Sequence, residues 1–250
     1  MKRMKQRGFL LNPFRFTGTP TEDAYRDLML SLAPLAYWRL DETSGTACVD
    51  SSGNGINASY FADASTITSP GLLSGSDNRG LDLPLQAINI KAGFDRPLPL
   101  AIDQPWSMVA LIMPMGETSA GASCLMQLGT VSDSSSNVPE IGPSYPGGGK
   151  FSLRVMRSGV AQLFESPAYD FGTRLHVVLT HGGGSINLWI NGAKTNTLSH
   201  SFGGSPGNAK FGHAVFSGSN YYPLYGKLDE VALFSSVLTD AQIAALYAAS

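Results

Sequence analysis

Residues 174–193 read RLHVVLTHGGGSINLWINGA, and this stretch is the clearest indication of the fold. The apolar run after Arg174 passes through three glycines into a second apolar run, which ends at Asn191-Gly192. Asn-Gly between apolar runs is a strong hairpin signal, because both turn positions require a positive φ. The stretch therefore predicts two antiparallel strands and a further turn into a third strand at Ala193–Leu198.

Short apolar or alternating segments of the same kind recur along the chain, bounded by residues that favour turns. The predicted strands are Leu35–Leu40, Ala87–Ile90, Trp106–Met113, Ser123–Leu128, Phe151–Met156, Val160–Phe164, Arg174–Thr180, Ser185–Ile190 and Lys227–Phe234. Many short strands without intervening helices predict an all-β antiparallel sandwich. The Gly-, Ser-, Asn- and Pro-rich segments 130–149 and 199–223 are predicted to be long loops.

The composition of the 250 residues fits such a fold and excludes several function classes. Apolar residues make up 43% and charged residues only 14%, which is unlike a disordered chain. A formal net charge of −2 provides no long-range field for DNA or RNA, so no specific nucleic-acid binding is expected. No apolar run reaches the ~18 residues of a membrane span. Cys48 and Cys124 match no zinc motif and are predicted to be buried thiols.

The beginning of the chain differs from the rest. Residues 1–20 carry a basic cluster, and their apolar stretch is shorter than the ~7 residues of a secretory core, so we expect a retained arm. Residues 21–33 show apolar side chains at helical spacing, with Pro34 after the end. We therefore divide the chain into an anchor at 1–33 and a domain at 34–250. The anchoring side chains are predicted to be Phe9, Phe14 and Phe16.

Two segments carry a family resemblance. Residues 36–60 read AYWRLDETSGTACVDSSGNGINASY, and residues 225–247 read YGKLDEVALFSSVLTDAQIAALY, whose end fits a short capped helix. Together with the central strands they resemble the laminin-G-like, concanavalin A-like jelly-roll lectin superfamily over about residues 36–249. The resemblance implies a two-sheet jelly roll that presents loops to glycans or proteins, in many relatives with one structural calcium ion.

The loop from Asp50 to Asn57 is rich in oxygen ligands. It begins like an EF-hand, but Phe61 stands where the bidentate Glu is required, so an EF-hand is rejected. The resemblance implies that Asp50, Asn54 and Asn57 meet Asp229 across the fold and share one Ca²⁺. The alternative is an Asx-rich turn that satisfies its own backbone.

Strand alternation predicts that Asp229 and Glu230 lie on opposite faces, one of them toward solvent. Relatives that hydrolyse polysaccharides carry Glu-x-Asp-x-x-Glu or a close variant on one strand, and the six Glu of this chain stand in no such pattern. The formal Gly-x-Ser-x-Gly match at Gly203–Gly207 lies in a Gly/Asn-rich loop, not between a strand and a helix. We therefore expect no enzyme and no catalytic residue.

Aromatic side chains that stack on sugar rings are expected in the loops. Trp38, Trp106 and Trp189 all lie in predicted strands and are expected in the core. The predicted ligand-binding residues are instead Tyr145, Tyr221 and Tyr222.

A short basic-aromatic arm and a helix, followed by a jelly roll, resemble bacteriophage head-decoration or tail-accessory proteins. This resemblance implies a non-enzymatic virion protein, made in the host cytoplasm. The arm would bind capsid or tail proteins and so decorate a phage head or tail, while the lectin-like domain would contact host surface glycans; a homo-oligomer is a further expectation. One alternative is a carbohydrate-binding module of a secreted or cell-surface protein, with an extracellular location. The third is a glycoside hydrolase of the same fold.

Overall fold

A computed structural model describes residues 22–62, 64–74, 77–84, 93–116, 124–128, 139–143, 149–157, 160–200, 202, 208–216 and 220–250. The helices are α1 (Glu22–Ser31), α2 (Ala64–Ile67) and α3 (Asp240–Ala249). The strands are β1 (Ala36–Trp38), β2 (Ala47–Cys48), β3 (Ala58–Tyr60), β4 (Thr68–Pro70), β5 (Arg79–Leu83), β6 (Phe94–Pro97), β7 (Trp106–Pro114), β8 (Met126–Leu128), β9 (Pro139–Pro143), β10 (Phe151–Arg157), β11 (Val160–Glu165), β12 (Leu175–Gly182), β13 (Ser185–Ile190), β14 (Ala193–Ser199), β15 (Asn208–Phe211), β16 (His213–Phe216), β17 (Asn220–Pro223) and β18 (Gly226–Phe234).

Two antiparallel sheets contain most of these strands. Sheet A has the order β14-β13-β12-β7-β18-β5-β4, and β1 also pairs with β18. Sheet B has the order β11-β10-β9-β8-β15-β6-β3-β2, and β16 with β17 forms a separate hairpin. The predicted all-β, antiparallel two-sheet sandwich is confirmed.

The stretch that decided the prediction folds as expected. Strands β12 and β13 are joined through Gly183 and Gly184, with φ values of 60° and 74°. Strands β13 and β14 are joined through Asn191 and Gly192, with φ values of 50° and 77°. Positive φ at both positions is the signature of a type I′ hairpin turn, whose twist matches that of paired strands.

The main core lies between the sheets and is built by strand alternation. In β7, Met108 and Ala110 face this core, whereas Val109 and Leu111 belong to a second cluster on the outer face of sheet A. Both faces of β7 are therefore covered, which explains the unbroken apolar sequence from Met108 to Pro114. The predicted core positions of Trp38, Trp106 and Trp189 are confirmed, since all three are buried.

Helices α1 and α3 pack against each other and cover the outer face of sheet A. Tyr25 and Met29 of α1 and Ile243 of α3 are fully buried there. In α3 the predicted capping box is present, because Thr239 and Gln242 bond each other's backbone N–H groups. Helix α1 is thus part of the domain's packing, although residues 1–33 were assigned to the anchor.

Several elements differ from the predictions. The predicted loop 130–149 contains β9, and the predicted loop 199–223 contains β15, β16 and β17. The Gly-, Ser- and Asn-rich segments around these strands resemble loops, but pairing with neighbouring strands overrides local preference. The predicted strand Ala87–Ile90 and the anchor residues Phe9, Phe14 and Phe16 lie outside the described residues. None of the described helices is long and apolar enough to cross a bilayer.

Candidate functional site

A row of polar residues crosses the outer face of sheet B. Ser59 pairs in register with Asp95, Asp95 with Lys210, Lys210 with Gln127, and Gln127 with Glu140. Residues directly opposite each other share a face of the sheet. The row is on the outer face because the adjacent residues Tyr60, Phe94, Phe211, Met126 and Ile141 all belong to the core between the sheets.

This polar row is partly covered. Lys210, Gln127 and Glu140 are buried, Asp95 is half-buried and Ser59 is exposed. Strand β16 contacts both β8 and β15, so the β16–β17 hairpin lies beside the row. The row therefore runs from a buried centre to an exposed end, with carboxylate, ammonium and amide groups along its length.

The predicted ligand-binding tyrosines have different positions relative to this row. Tyr221 and Tyr222 belong to β17, where they pair in register with Val215 and Ala214 of β16. The structure therefore places their backbone in the hairpin next to β8. Tyr145 lies outside the described residues, and the ligand-binding role of all three tyrosines stays a prediction.

The loop after Asp50 is organised by the Asp50 carboxylate. Its Oδ1 accepts hydrogen bonds from the backbone N–H groups of Tyr37 and Ser52, both at 2.9 Å. Its Oδ2 accepts from the Ser52 hydroxyl at 2.8 Å and from the Ile56 N–H at 2.9 Å. Although burial opposes ionisation, these hydrogen bonds lower the pKa of Asp50 below its ordinary value.

The two asparagines of this loop are also used within the protein. Asn57 Oδ1 accepts from the N–H of Asp50 at 2.9 Å, and the Asn54 amide donates to the carbonyls of Pro34 and Leu35 at 3.1 and 3.0 Å. These contacts form an Asx-rich turn that satisfies its own backbone, in which the Asp50 oxygens accept four hydrogen bonds. The shared Ca²⁺ site stays a prediction.

Asp229, the fourth predicted calcium ligand, lies in a different set of contacts. Its Oδ2 accepts from the N–H of Leu72 at 2.6 Å and from the Asn78 amide at 2.8 Å. Its Oδ1 accepts from the N–H of Glu230 at 2.9 Å. None of these partners bonds to Asp50 among the described contacts. No cluster of three or more His, Cys, Asp or Glu positioned for a metal exists within the described residues.

The expectation that Asp229 and Glu230 lie on opposite faces is wrong, because β18 contains a β-bulge. Its register with β7 shifts between Asp229 and Ala232, and Glu230 has a φ of 50°. Leu228 and Val231 on either side both face the core between the sheets. The two carboxyl groups are therefore both on the outer side of sheet A, and both are fully buried.

Glu230 is held by two side chains from β1 and its continuation. It accepts a hydrogen bond from the Tyr37 hydroxyl, and its Oε1 lies 3.6 Å from Arg39 Nε. Burial raises the pKa of Glu230 to about 7, and burial together with the Glu230 charge raises the pKa of Asp229. The pair links β18 to β1 and to the segment around Asn78, with no exposed surface for a substrate.

The four histidines form no metal-binding cluster among the described residues. His176 is buried on the outer face of sheet A, with its ring centroid 6.1 Å from that of Tyr247. His181 lies 5.6 Å from Trp106, on the face that leads to the core between the sheets. The prediction that these two residues lie on opposite faces of one strand is confirmed.

Sequence reasoning missed the polar row and the bulge. Gln127, Glu140 and Lys210 are separated by many residues, and only the pairing of β8, β9 and β15 aligns them. Apart from its acidic pair, GKLDEVALF has the pattern of a regular strand, so no other feature of the sequence indicates the bulge. An acidic pair inside an apolar strand was the one sequence signal at this position.

Two eight-stranded antiparallel sheets packed face to face, with short helices on the outside, define a jelly-roll sandwich. Residues 96–244, more than half of the chain, match the sequence profile of the concanavalin A-like lectin/glucanase superfamily, in its laminin-G-like branch. The chain belongs to this superfamily, as the sequence resemblance implied. No curated protein sequence matches it significantly.

Solved structures share the fold at low sequence identity. Domain 4 of a GH43 extracellular arabinanase from Geobacillus stearothermophilus, solved with arabinotriose, has a TM-score of 0.58 and 16% identity, covering 86% of this chain and 98% of that domain. The botulinum neurotoxin type G receptor-binding domain has a TM-score of 0.60 and 10% sequence identity, and the match covers 86% of this chain and 51% of that one.

The sialidase of Trypanosoma rangeli, solved with 2,3-difluorosialic acid, gives a TM-score of 0.59 and 13% identity over 86% of this chain. The present chain spans about a third of the sialidase, 33% of its length. At such identities these likenesses show the fold alone.

Proposed function

We propose that this chain is a non-catalytic binding module whose ligand is a glycan. The observation that carries the proposal is the burial of Asp229 and Glu230. Glycosidases of the usual two-carboxyl type need two carboxyl groups that reach the glycosidic bond from either side. This pair has no exposed surface and is engaged by Tyr37, Asn78 and Leu72, so it acts as a structural connection.

The polar row on sheet B supports the binding part of the proposal. Sugar hydroxyl groups both donate and accept hydrogen bonds, and the Asp95 carboxylate and Ser59 hydroxyl provide complementary groups. Asp95 and Ser59 lie at the more exposed end of the row, where a ligand has access. The arabinanase domain solved with arabinotriose has this fold over nearly its whole length, which supports a glycan as the ligand class.

Glycan-array binding and reducing-end release, measured on the same protein, test this proposal. We expect saturable binding to at least one glycan and no release of reducing ends from any bound polysaccharide. The variant Asp95→Ala should weaken binding, whereas Asp82→Ala, which removes an exposed carboxylate from β5 of sheet A, should not. Turnover of a polysaccharide, or the absence of binding to any glycan, would contradict the proposal. Equal binding by both variants would contradict the location of the site at Asp95.

We further propose that the module acts in a virion, attached through its N-terminal arm to capsid or tail proteins. Helix α1 supports this arrangement, because it packs on sheet A through Tyr25 and Met29 and fixes the point from which the arm starts. The arm brings basic residues and Phe9, Phe14 and Phe16 next to that helix in the sequence. Strand addition or hydrophobic docking of such an arm is a known mode of attachment.

Two deletions separate the arm from the helix. Removing residues 1–20 should leave a folded, glycan-binding domain that no longer joins the particle. Removing residues 1–33 takes away α1 and exposes the second cluster, so this shorter protein should be markedly less stable. Particle incorporation after the 1–20 deletion, measured by co-sedimentation, would overturn the anchor.

A carbohydrate-binding module of a secreted or cell-surface protein is the second candidate. The specific observation in its favour is the 98% coverage of a single domain of an extracellular arabinanase. Glycan binding without any association with particles would favour this location over the virion.

A further inference from the structure

Three chain segments meet at one corner of the sandwich, where β7 ends. The N–H of Gly172 donates to the Pro114 carbonyl at 2.7 Å, and the N–H of Met115 donates to the Tyr225 carbonyl at 3.0 Å. Met115 is 44% exposed and Phe171 is 40% exposed. Large apolar side chains with this exposure are few in the described residues, so the corner is distinct from the rest of the surface.

Phe171 is presented by a tight and well-supported turn. The N–H of Thr173 donates to the Asp170 carbonyl at 3.1 Å, and Gly172 supplies a φ of +80°. The ring of Phe171 lies edge-on to Tyr169 at 6.0 Å, and Tyr169 in turn lies 5.0 Å from the fully buried Phe151. A chain of rings thus connects an exposed aromatic group to the core.

The segment before the turn is also fixed. The N–H of Tyr169 donates to the Gly149 carbonyl, and Gly149 has a φ of +67°. A Cβ at Gly149 would lie 2.0 Å from the Tyr169 carbonyl oxygen, so only glycine allows this close approach. The backbone that carries the exposed ring is therefore fixed by contacts within the protein, and a preorganised backbone lowers the entropic cost of binding.

We infer that Phe171 is a stacking platform for a sugar ring and that this corner is a subsite for a neutral glycan. This inference rests on the proposed glycan-binding function. A sugar ring has an apolar C–H face and a rim of hydroxyl groups. The turn that carries the Phe171 ring also carries the exposed residues Asp170 and Thr173, which contribute a carboxylate and a hydroxyl group. The carboxylate accepts hydrogen bonds from hydroxyl groups and repels anionic sugars, which selects neutral saccharides.

Affinity electrophoresis of the full chain, alongside the glycan array, tests the inference. The gels contain linear arabinan, a neutral β-glucan or anionic polygalacturonate. We expect a neutral glycan to retard the protein. Phe171→Ala should weaken this binding about tenfold or more, which is typical of a central aromatic contact. Phe171→Trp should bind well because it keeps an aromatic face.

Tyr247→Ala is the matched control, since Tyr247 is also an exposed aromatic, 39% exposed, but lies on α3. It should bind as the unaltered protein does. Near-UV circular dichroism and thermal unfolding of each variant show that the fold is kept.

The possible outcomes separate this inference from the proposed function. If the unaltered protein binds a neutral glycan and Phe171→Ala binds it equally, the subsite is wrong and the function stands. Equal losses in Phe171→Ala and Tyr247→Ala, or binding to polygalacturonate alone, also overturn the subsite. If no glycan binds, both fail. If Phe171→Ala changes only the sedimentation of the protein, the corner is a contact between copies and the inference is overturned.

Discussion

His176 makes the stability of the domain sensitive to acid. Its ring is buried beneath α3, next to Tyr247, and neither ring nitrogen has a hydrogen-bond partner in the described structure. Only its backbone is engaged, since its N–H donates to Asn191 Oδ1 at 2.9 Å. Burial, with a smaller effect of the nearby Arg174 charge, lowers the pKa of His176 from 6.5 to about 3.

The sign of the pH effect follows from which state binds the proton. Below pH 6.5 the unfolded chain protonates this histidine while the folded chain does not, so acid favours unfolding. The free energy of unfolding should be unaffected by this group above pH 7 and should fall progressively between pH 6.5 and 3. At about 1.4 kcal/mol per pH unit, the loss is about 2 kcal/mol at pH 5 and on the order of 5 kcal/mol at pH 3.

Urea unfolding between pH 7 and 4 checks this value. His176→Leu replaces the ring with an apolar side chain of similar size and removes the titration. The free energy of unfolding of this variant, compared with that of the unaltered protein, should therefore rise by the stated amounts as the pH falls from 7. His200→Leu, which replaces another buried histidine, packed 4.5 Å from Phe202, is the control and should keep the pH dependence that His176 causes. Parallel curves for the unaltered protein and His176→Leu would refute the reasoning.

Three further predictions concern the acidic pair, the Asp50 loop and a glycine in β18. Because burial raises the pKa of Glu230 to about 7, ionisation of this group opposes folding, and its cost grows between pH 4.5 and 7. In urea unfolding, Glu230→Gln should therefore gain stability relative to the unaltered protein as the pH rises through this range, and a constant difference between the two proteins would contradict the assignment. Asp50→Ala removes the acceptor of four hydrogen bonds and should lower the free energy of unfolding by about 3–5 kcal/mol, equally in calcium and in a chelator. A calcium-dependent rise in the Tm of the unaltered protein that is lost in Asp50→Ala would instead support the predicted Ca²⁺ site. At Gly226, with a φ of +144°, a Cβ would lie 2.3 Å from the Met113 carbonyl oxygen, so Gly226→Ala should lower the free energy of unfolding by about 3 kcal/mol or more. Gly183→Ala, at a φ of +60° and with open space around the Cβ, should lower it by only about 1 kcal/mol. Similar losses in thermal unfolding would show that the close approach at Gly226 has no effect.

Sequence analysis predicted those elements whose local residues are sufficient to specify their conformation. The hairpins at Gly183-Gly184 and Asn191-Gly192 were predictable because a positive φ is encoded by the residue itself. The capping box at Thr239 is likewise a local pattern of residue types. Strands such as β9 and β15–β17 were missed because they are short and lie within Gly-, Ser- and Asn-rich segments, which resemble loops until a partner strand supplies the hydrogen bonds.

The class of fold could be predicted from local patterns alone, because apolar periodicity and turn chemistry depend on a few neighbouring residues. The same patterns identified which residue types a binding site could use. The tertiary structure decided which distant residues meet. It placed Asp229 and Glu230 on one side through a bulge, aligned Asp95, Lys210 and Glu140 across sheet B, and exposed Phe171 at a corner. These placements depend on strand register and long-range packing, which no local pattern encodes.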